Sequence, residues 1–141
     1  MEGVIDLSYE SLSDKSNIPD TVGQGWIAAK LSESDWTIPV SDEALEEINQ
    51  MVVLMRNQPL PILLRNVMDF DIIHLRALYN KVKKVCDSGA GFAVIDKLPI
   101  DEYHIDEMLA VYWVLGQLLG TNVAQKWNGT MIYDVTDTGQ K

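Results

Sequence analysis

His104-Ile105-Asp106, inside the stretch "EYHIDEM", is the place in this chain where residue types and spacing suggest metal chemistry. Two histidines and a carboxylate make a facial triad that leaves open positions for a reacting ligand. His-x-Asp is a common way to supply two of the three. Such a pair chelates from extended backbone, where residues i and i+2 share a face. On a helix, with roughly 3.6 residues per turn, the two side chains point about 200° apart. The motif here runs straight into the strongest helical pattern of the chain. It is therefore expected to be a solvated helix start, with Asp101 or Asp106 as the start residue and Glu107 in the first turn. The second histidine, His74, falls on another expected helix, off its apolar stripe, and reads as a partly exposed surface residue.

Other reactive residue types offer less. Cys86 is the single cysteine, so no internal disulfide can form, and a reduced, cytoplasmic setting is the default. No base is marked beside it, and it is expected to be a small buried hydrophobe near a helix end. Glu46 and Glu47 are neighbours on a helix and diverge, so they form no acid/base pair. There is no G-x-S-x-G, no P-loop and no Cys/His pairing.

The elements that would position these residues follow from periodicity. Residues 1–22 are rich in Ser and Asp and read as a polar arm, ahead of a domain spanning 23–141. "GWIAAKL" (25–31) is apolar enough for a strand, and "SESDW" turns the chain. Ser41 is a good N-cap, with Asp42 and Glu43 in the first turn. Leu45, Ile48, Val52 and Met55 then recur at helical spacing up to Pro59 and Pro61. A second helix is expected from Asp69 or Asp71, with Ile72, Leu75, Leu78, Val82 and Val85 as its stripe and the glycines of "DSGAG" as its stop. "GFAVIDKLP" (91–99) reads as a buried strand. A third helix, about 103–119, repeats Met108, Val111, Tyr112, Leu115, Leu118 and Leu119 at three and four, turns the Met108, Val111, Leu115 and Leu118 face toward a sheet and ends at Gly120. "NVAQKWNG" connects it to a second β-prone run, "TMIYDV".

The chain has 141 residues, the size of one domain, and 47% hydrophobic residues, enough for a core. A net charge of −10 argues against nucleic acid and against anionic membrane surfaces. The lysines of "NKVKKV" (80–85) are expected at the C-terminal end of a helix, where cations complement the dipole. No apolar run approaches the roughly 20 residues of a membrane span, and no secretory signal is visible.

From residue 91 onward the segments occur in a specific order: "GFAVIDKLP", a helix holding "YWVLGQLLG", "VAQKWNG", then "MIYDVTDTG". Residues 91–139 in this order resemble the N-terminal part of the taurine dioxygenase-like family of iron(II)- and 2-oxoglutarate-dependent oxygenases. In that family a strand of the type G-F-x-x-(I/L)-x-x-L-P leads into a helix ending in L-G. A Gln-containing loop and a Y-D-V-x-D-x-G strand follow. The upstream "DWTIPVSDEALEEI" resembles the family's first helix more weakly.

The resemblance implies an α+β chain supplying the N-terminal helices and first strands of a double-stranded β-helix, or jelly roll, incomplete in this chain. The family's iron-binding His-x-Asp, its distal histidine and its 2-oxoglutarate-binding arginine lie downstream of the Y-D-V strand. The chain is expected to stop short of them, at Lys141. His104-Ile105-Asp106 then inherits no metal role and the chain alone carries no catalytic residue. Iron(II) and 2-oxoglutarate would belong to the complete assembly, bound by a complementary C-terminal chain or segment. Trp113 and its neighbours, and the unpaired strands, would need that segment to pack on. By position, the resemblance places Gln125, Asn128, Met131 and Tyr133 at the mouth of the substrate pocket, with Gly129 as the turn. The substrate would be a small molecule, amino-acid-like or carrier-bound. A different reading is a non-catalytic acidic α+β module that binds another protein.

Overall fold

The computed structural model describes residues 28–137 and Gly139; the polar arm at 1–22 and the first part of the expected strand at 25–31 lie outside them. The described chain mixes helix and strand in the order β1 (Thr37–Pro39), α1 (Asp42–Asn57), α2 (Ile73–Ser88), β2 (Val94–Asp96) and α3 (Ile105–Gly116). Short 3-10 turns occupy Ala28–Lys30, Glu33–Asp35, Ile62–Leu64 and Val67–Asp69. Ala28–Lys30 is therefore a turn rather than the strand that its apolar letters suggested.

Helix α1 is the hub, packing on α2 and on α3. Its start is local. The Ser41 hydroxyl accepts from the Ala44 N–H at 3.3 Å, and Asp42 and Glu43 sit in the first turn. Its buried stripe is Ala44, Glu47, Ile48, Met51, Val52 and Met55. Glu47 is the charged residue in that stripe, 8% exposed.

Helix α2 explains the burial. It does not begin on Asp69 or Asp71. Asp69 instead closes a box with Asn66 around the preceding 3-10 turn, and Ile72, at the N-cap position, has no side chain to offer. The Glu47 carboxylate takes the role. One oxygen accepts from the His74 N–H and the other from the Leu75 N–H, both at 2.8 Å. Two orphan donors at a helix N-terminus and one buried negative charge thus satisfy each other. Leu75, Leu78, Tyr79 and Val82 form the buried face of α2. Its last turn contains no basic residue, so the lysines at 81, 83 and 84 lie one turn too early to complement the dipole there.

β1 and β2 pair in parallel, with Thr37 opposite Val94, Ile38 opposite Ile95 and Pro39 opposite Asp96. Ile38 is buried, but Val94 is almost half exposed, so "GFAVIDKLP" contributes a short and partly solvated strand rather than a buried one. "TMIYDV" forms no strand, because no described segment offers it a hydrogen-bond ladder.

Helix α3 packs chiefly on α1 and on the turn Ile62–Leu64 rather than on the sheet. It buries Met108, Ala110, Val111, Trp113, Val114 and Leu115. Met108, Val111 and Leu115 of the expected face are buried and Leu118 is partly buried, while Tyr112 and Leu119 of the same repeat are exposed; the helix stops at Gly116, short of residue 119. Trp113 finds its packing within the chain, and its indole N–H donates to the Arg65 carbonyl at 3.2 Å. At the other end, Arg56 and Glu107 form a two-bond fork, 2.7 and 3.0 Å, joining the end of α1 to the start of α3.

These contacts set two expectations. Leu115 is fully buried and Leu119 is 45% exposed. Leu115→Ala should cost about 2–5 kcal/mol in urea unfolding, and Leu119→Ala less than about 0.5 kcal/mol. Equal costs would mean that the phase of α3 is wrong. The hydrogen bond from Arg56 holds the Glu107 carboxyl below its usual range. A carboxylate with a depressed folded pKa stabilises above its unfolded value, about 4.3, and loses that effect as pH falls through the folded value. Arg56→Met should therefore be less stable than the parent at pH 7, with the gap closing in acid. A gap that stays constant down to pH 2 would remove the ion pair as its cause.

Candidate functional site

His104 is the N-cap of α3, in extended backbone, and not a residue inside the helix. Its side chain therefore turns toward Asp106 instead of away. His104 Nδ1 accepts from the Asp106 N–H at 3.3 Å and lies 3.5 Å from the Asp106 carboxylate, both side chains largely in solvent. Glu107 returns the cap by accepting the His104 N–H at 3.1 Å. The start residue of this helix is thus His104, rather than Asp101 or Asp106. Among the described residues no third ligand joins the pair. His74 is exposed on α2, with its N–H committed to Glu47. Among the described residues, no group of three or more His, Cys, Asp or Glu side chains is arranged to hold a metal ion. These residues do not fit the iron site that the resemblance implies, and no step through iron can be assigned to them. Cys86 is exposed on the last turn of α2 rather than buried. Glu46 and Glu47 diverge as expected, but Glu47 is buried in the α2 cap rather than solvated.

A cavity of about 340 Å³ lies between α3 and the chain that follows it. Helix α3 contributes Tyr112, Trp113 and Gly116, and the following chain contributes Asn122, Gln125, Met131 and Tyr133, among others. Local chemistry shapes each wall. At Gly116 an added Cβ would come 3.3 Å from Asn122 Oδ1. The missing side chain lets Asn122 lie against the helix, where its amide donates to the Trp113 carbonyl at 3.2 Å. The loop then reverses. Gln125 N–H donates to the Thr130 carbonyl at 2.7 Å, and Gly129 takes φ +86°, which favours glycine.

The four residues placed at the pocket mouth by resemblance separate here. Gln125, Met131 and Tyr133 line the cavity, and Asn128 does not. The Gln125 amide donates to the Val123 carbonyl at 2.9 Å, leaving its oxygen free to accept. Asn128 folds onto its own turn and accepts from the Thr130 N–H at 3.2 Å and hydroxyl at 2.7 Å. Tyr133 is 48% exposed, and the Lys126 ammonium sits 4.7 Å from its ring centre. Tyr112 and Asn122 belong to the same wall and were not singled out from sequence. In the sequence Tyr112 is marked only by the helical repeat of α3, and Asn122 carries no signal beyond its spacing from Gly116.

No protein-family model matches the chain, and no curated protein matches it in sequence. Among the described residues, no helix is long and apolar enough to cross a membrane.

The capping role of His104 has a direct test. Anaerobic iron(II) titration of this chain should give no stoichiometric site. His104→Ala should cost about 1 kcal/mol of stability as a lost cap, and His104→Ser should restore it. One equivalent of iron that disappears in His104→Ala would make the pair a ligand set after all.

Proposed function

We propose that this chain is the N-terminal portion of an iron(II)/2-oxoglutarate-dependent oxygenase of the taurine dioxygenase-like kind. In this reading it supplies scaffold and one wall of the substrate pocket, and a jelly-roll segment on another chain or stretch of sequence supplies iron ligands and cosubstrate site. The observation that carries the reading is the cavity beside α3. It gathers Gln125, Met131 and Tyr133, which the ordered segments from 91 to 139 single out by resemblance. Its lining suits a small organic substrate. Aromatic and aliphatic faces surround a carboxamide that can accept one hydrogen bond, as pockets for such ligands commonly do. The role of this chain is to hold and orient the substrate's non-reacting part while the oxidation occurs on groups it does not own.

The test is co-production with a neighbouring reading frame that carries H-x-D followed by a distal histidine and arginine. The two should co-purify at one to one and release succinate from 2-oxoglutarate only with iron(II) present. In that assembly Gln125→Ala should lower kcat/KM for the primary substrate about tenfold, the worth of roughly one hydrogen bond. Iron and 2-oxoglutarate affinity should stay unchanged. A chain that unfolds cooperatively as a monomer, and that no such companion alters, belongs instead to the acidic interaction-module class.

A further inference from the structure

Residues 129–137 run without a turn or bend, yet they belong to no sheet. Among the described residues, no hydrogen bond engages the backbone of residues 131–136. The alternation is that of a strand all the same. Met131, Tyr133 and Val135 all line the cavity beside α3, with Ile132 also touching it, while Asp134 and Thr136 do not. Val135 is 87% exposed, so among the described residues nothing covers the outer half of this face. Extended backbone with a full row of unpaired N–H and C=O groups is a template for one more strand.

We infer that residues 131–136 form an open β edge that receives an extended segment of a second polypeptide, apolar at alternate positions and basic between them. The backbone row selects an extended chain, since only a strand repeats donors and acceptors at the same spacing. On the cavity side every second side chain of the added strand lies beside Met131, Tyr133 and Val135, so that face asks for apolar ones. The opposite face carries Asp134, on a chain of net charge −10, so Lys or Arg suits the intervening positions. A second copy of this chain is a poor occupant. Antiparallel self-pairing brings the two Asp134 carboxylates onto one face of the ribbon, and both partners carry the same net charge.

The inference rests on backbone geometry and needs neither iron nor 2-oxoglutarate, so it can fail or hold independently of the oxygenase reading. The probe is the synthetic octapeptide Lys-Val-Lys-Val-Lys-Val-Lys-Val at millimolar concentration, read by amide hydrogen exchange of the full chain. The amides of 131–136 should exchange freely in the free chain. The peptide should slow those facing it by about tenfold or more. Alternate residues of a strand face opposite edges, so one of two control peptides, N-methylated at every Val or at every Lys, should lose the effect. Val135→Pro should lose it too, while α3 amides keep their protection. Three results would overturn the inference. The peptide leaves exchange unchanged, both methylated peptides protect equally, or the free chain already protects 131–136, by its own N-terminal residues or by self-association that grows with concentration.

Discussion

The described fold depends on a carboxylate placed where sequence rules put leucine. Glu47 lies in the buried stripe of α1 and ends on two N–H groups of α2. Burying a lone carboxylate is costly, and so is leaving a helix N-terminus without acceptors inside a core. Each problem removes the other. The contact fixes the axial offset of the two helices, because both carboxylate oxygens are used and a shift by one residue would strand them. Ile48, Met51, Val52, Leu75 and Leu78 then meet in one register. Helix α3 closes the other side of α1, where Val111, Val114 and Leu115 complete the core.

Much of this was legible in the sequence where the cause is local. Ser41 announces α1 because an N-cap needs only its own next turn. The three helices are present, since apolar residues three and four apart leave a helix as the way to share one face. What was illegible depends on distant partners. Nothing near Ile72 says that the cap of α2 lies on α1, 27 residues before His74 and 28 before Leu75. The face Met108, Val111 and Leu115 of α3 is legible from its spacing, but spacing does not rank Tyr112 against Trp113, since both look apolar. The partner decides: the Arg65 carbonyl gives the Trp113 indole a place to donate while buried. "TMIYDV" has the composition of a strand, and composition cannot supply a neighbour.

The candidate site follows the same division. In the sequence His104-Ile105-Asp106 reads as a diverging pair, because two helical residues at i and i+2 point apart, yet His104 is the extended residue that precedes the helix. The pair does converge, and on the Asp106 N–H. Gln125, Met131 and Tyr133 come together because the turn at Gly129 reverses the chain and Gly116 lets Asn122 approach α3. Asn128 spends its acceptor on shaping that same turn.

The β1–β2 pair has a bearing on the order in which the chain assembles. Its register joins Thr37 to Val94 around the whole α1–α2 hairpin, with three residues on each side. Closing so long a loop is entropically expensive, and a ladder this short returns little until the helices have brought its ends together. The sheet is thus expected to zip last, after α1 and α2 have docked through Glu47. Under tension or local opening it should be the first contact to part, leaving the helical pair intact as the slower-yielding unit.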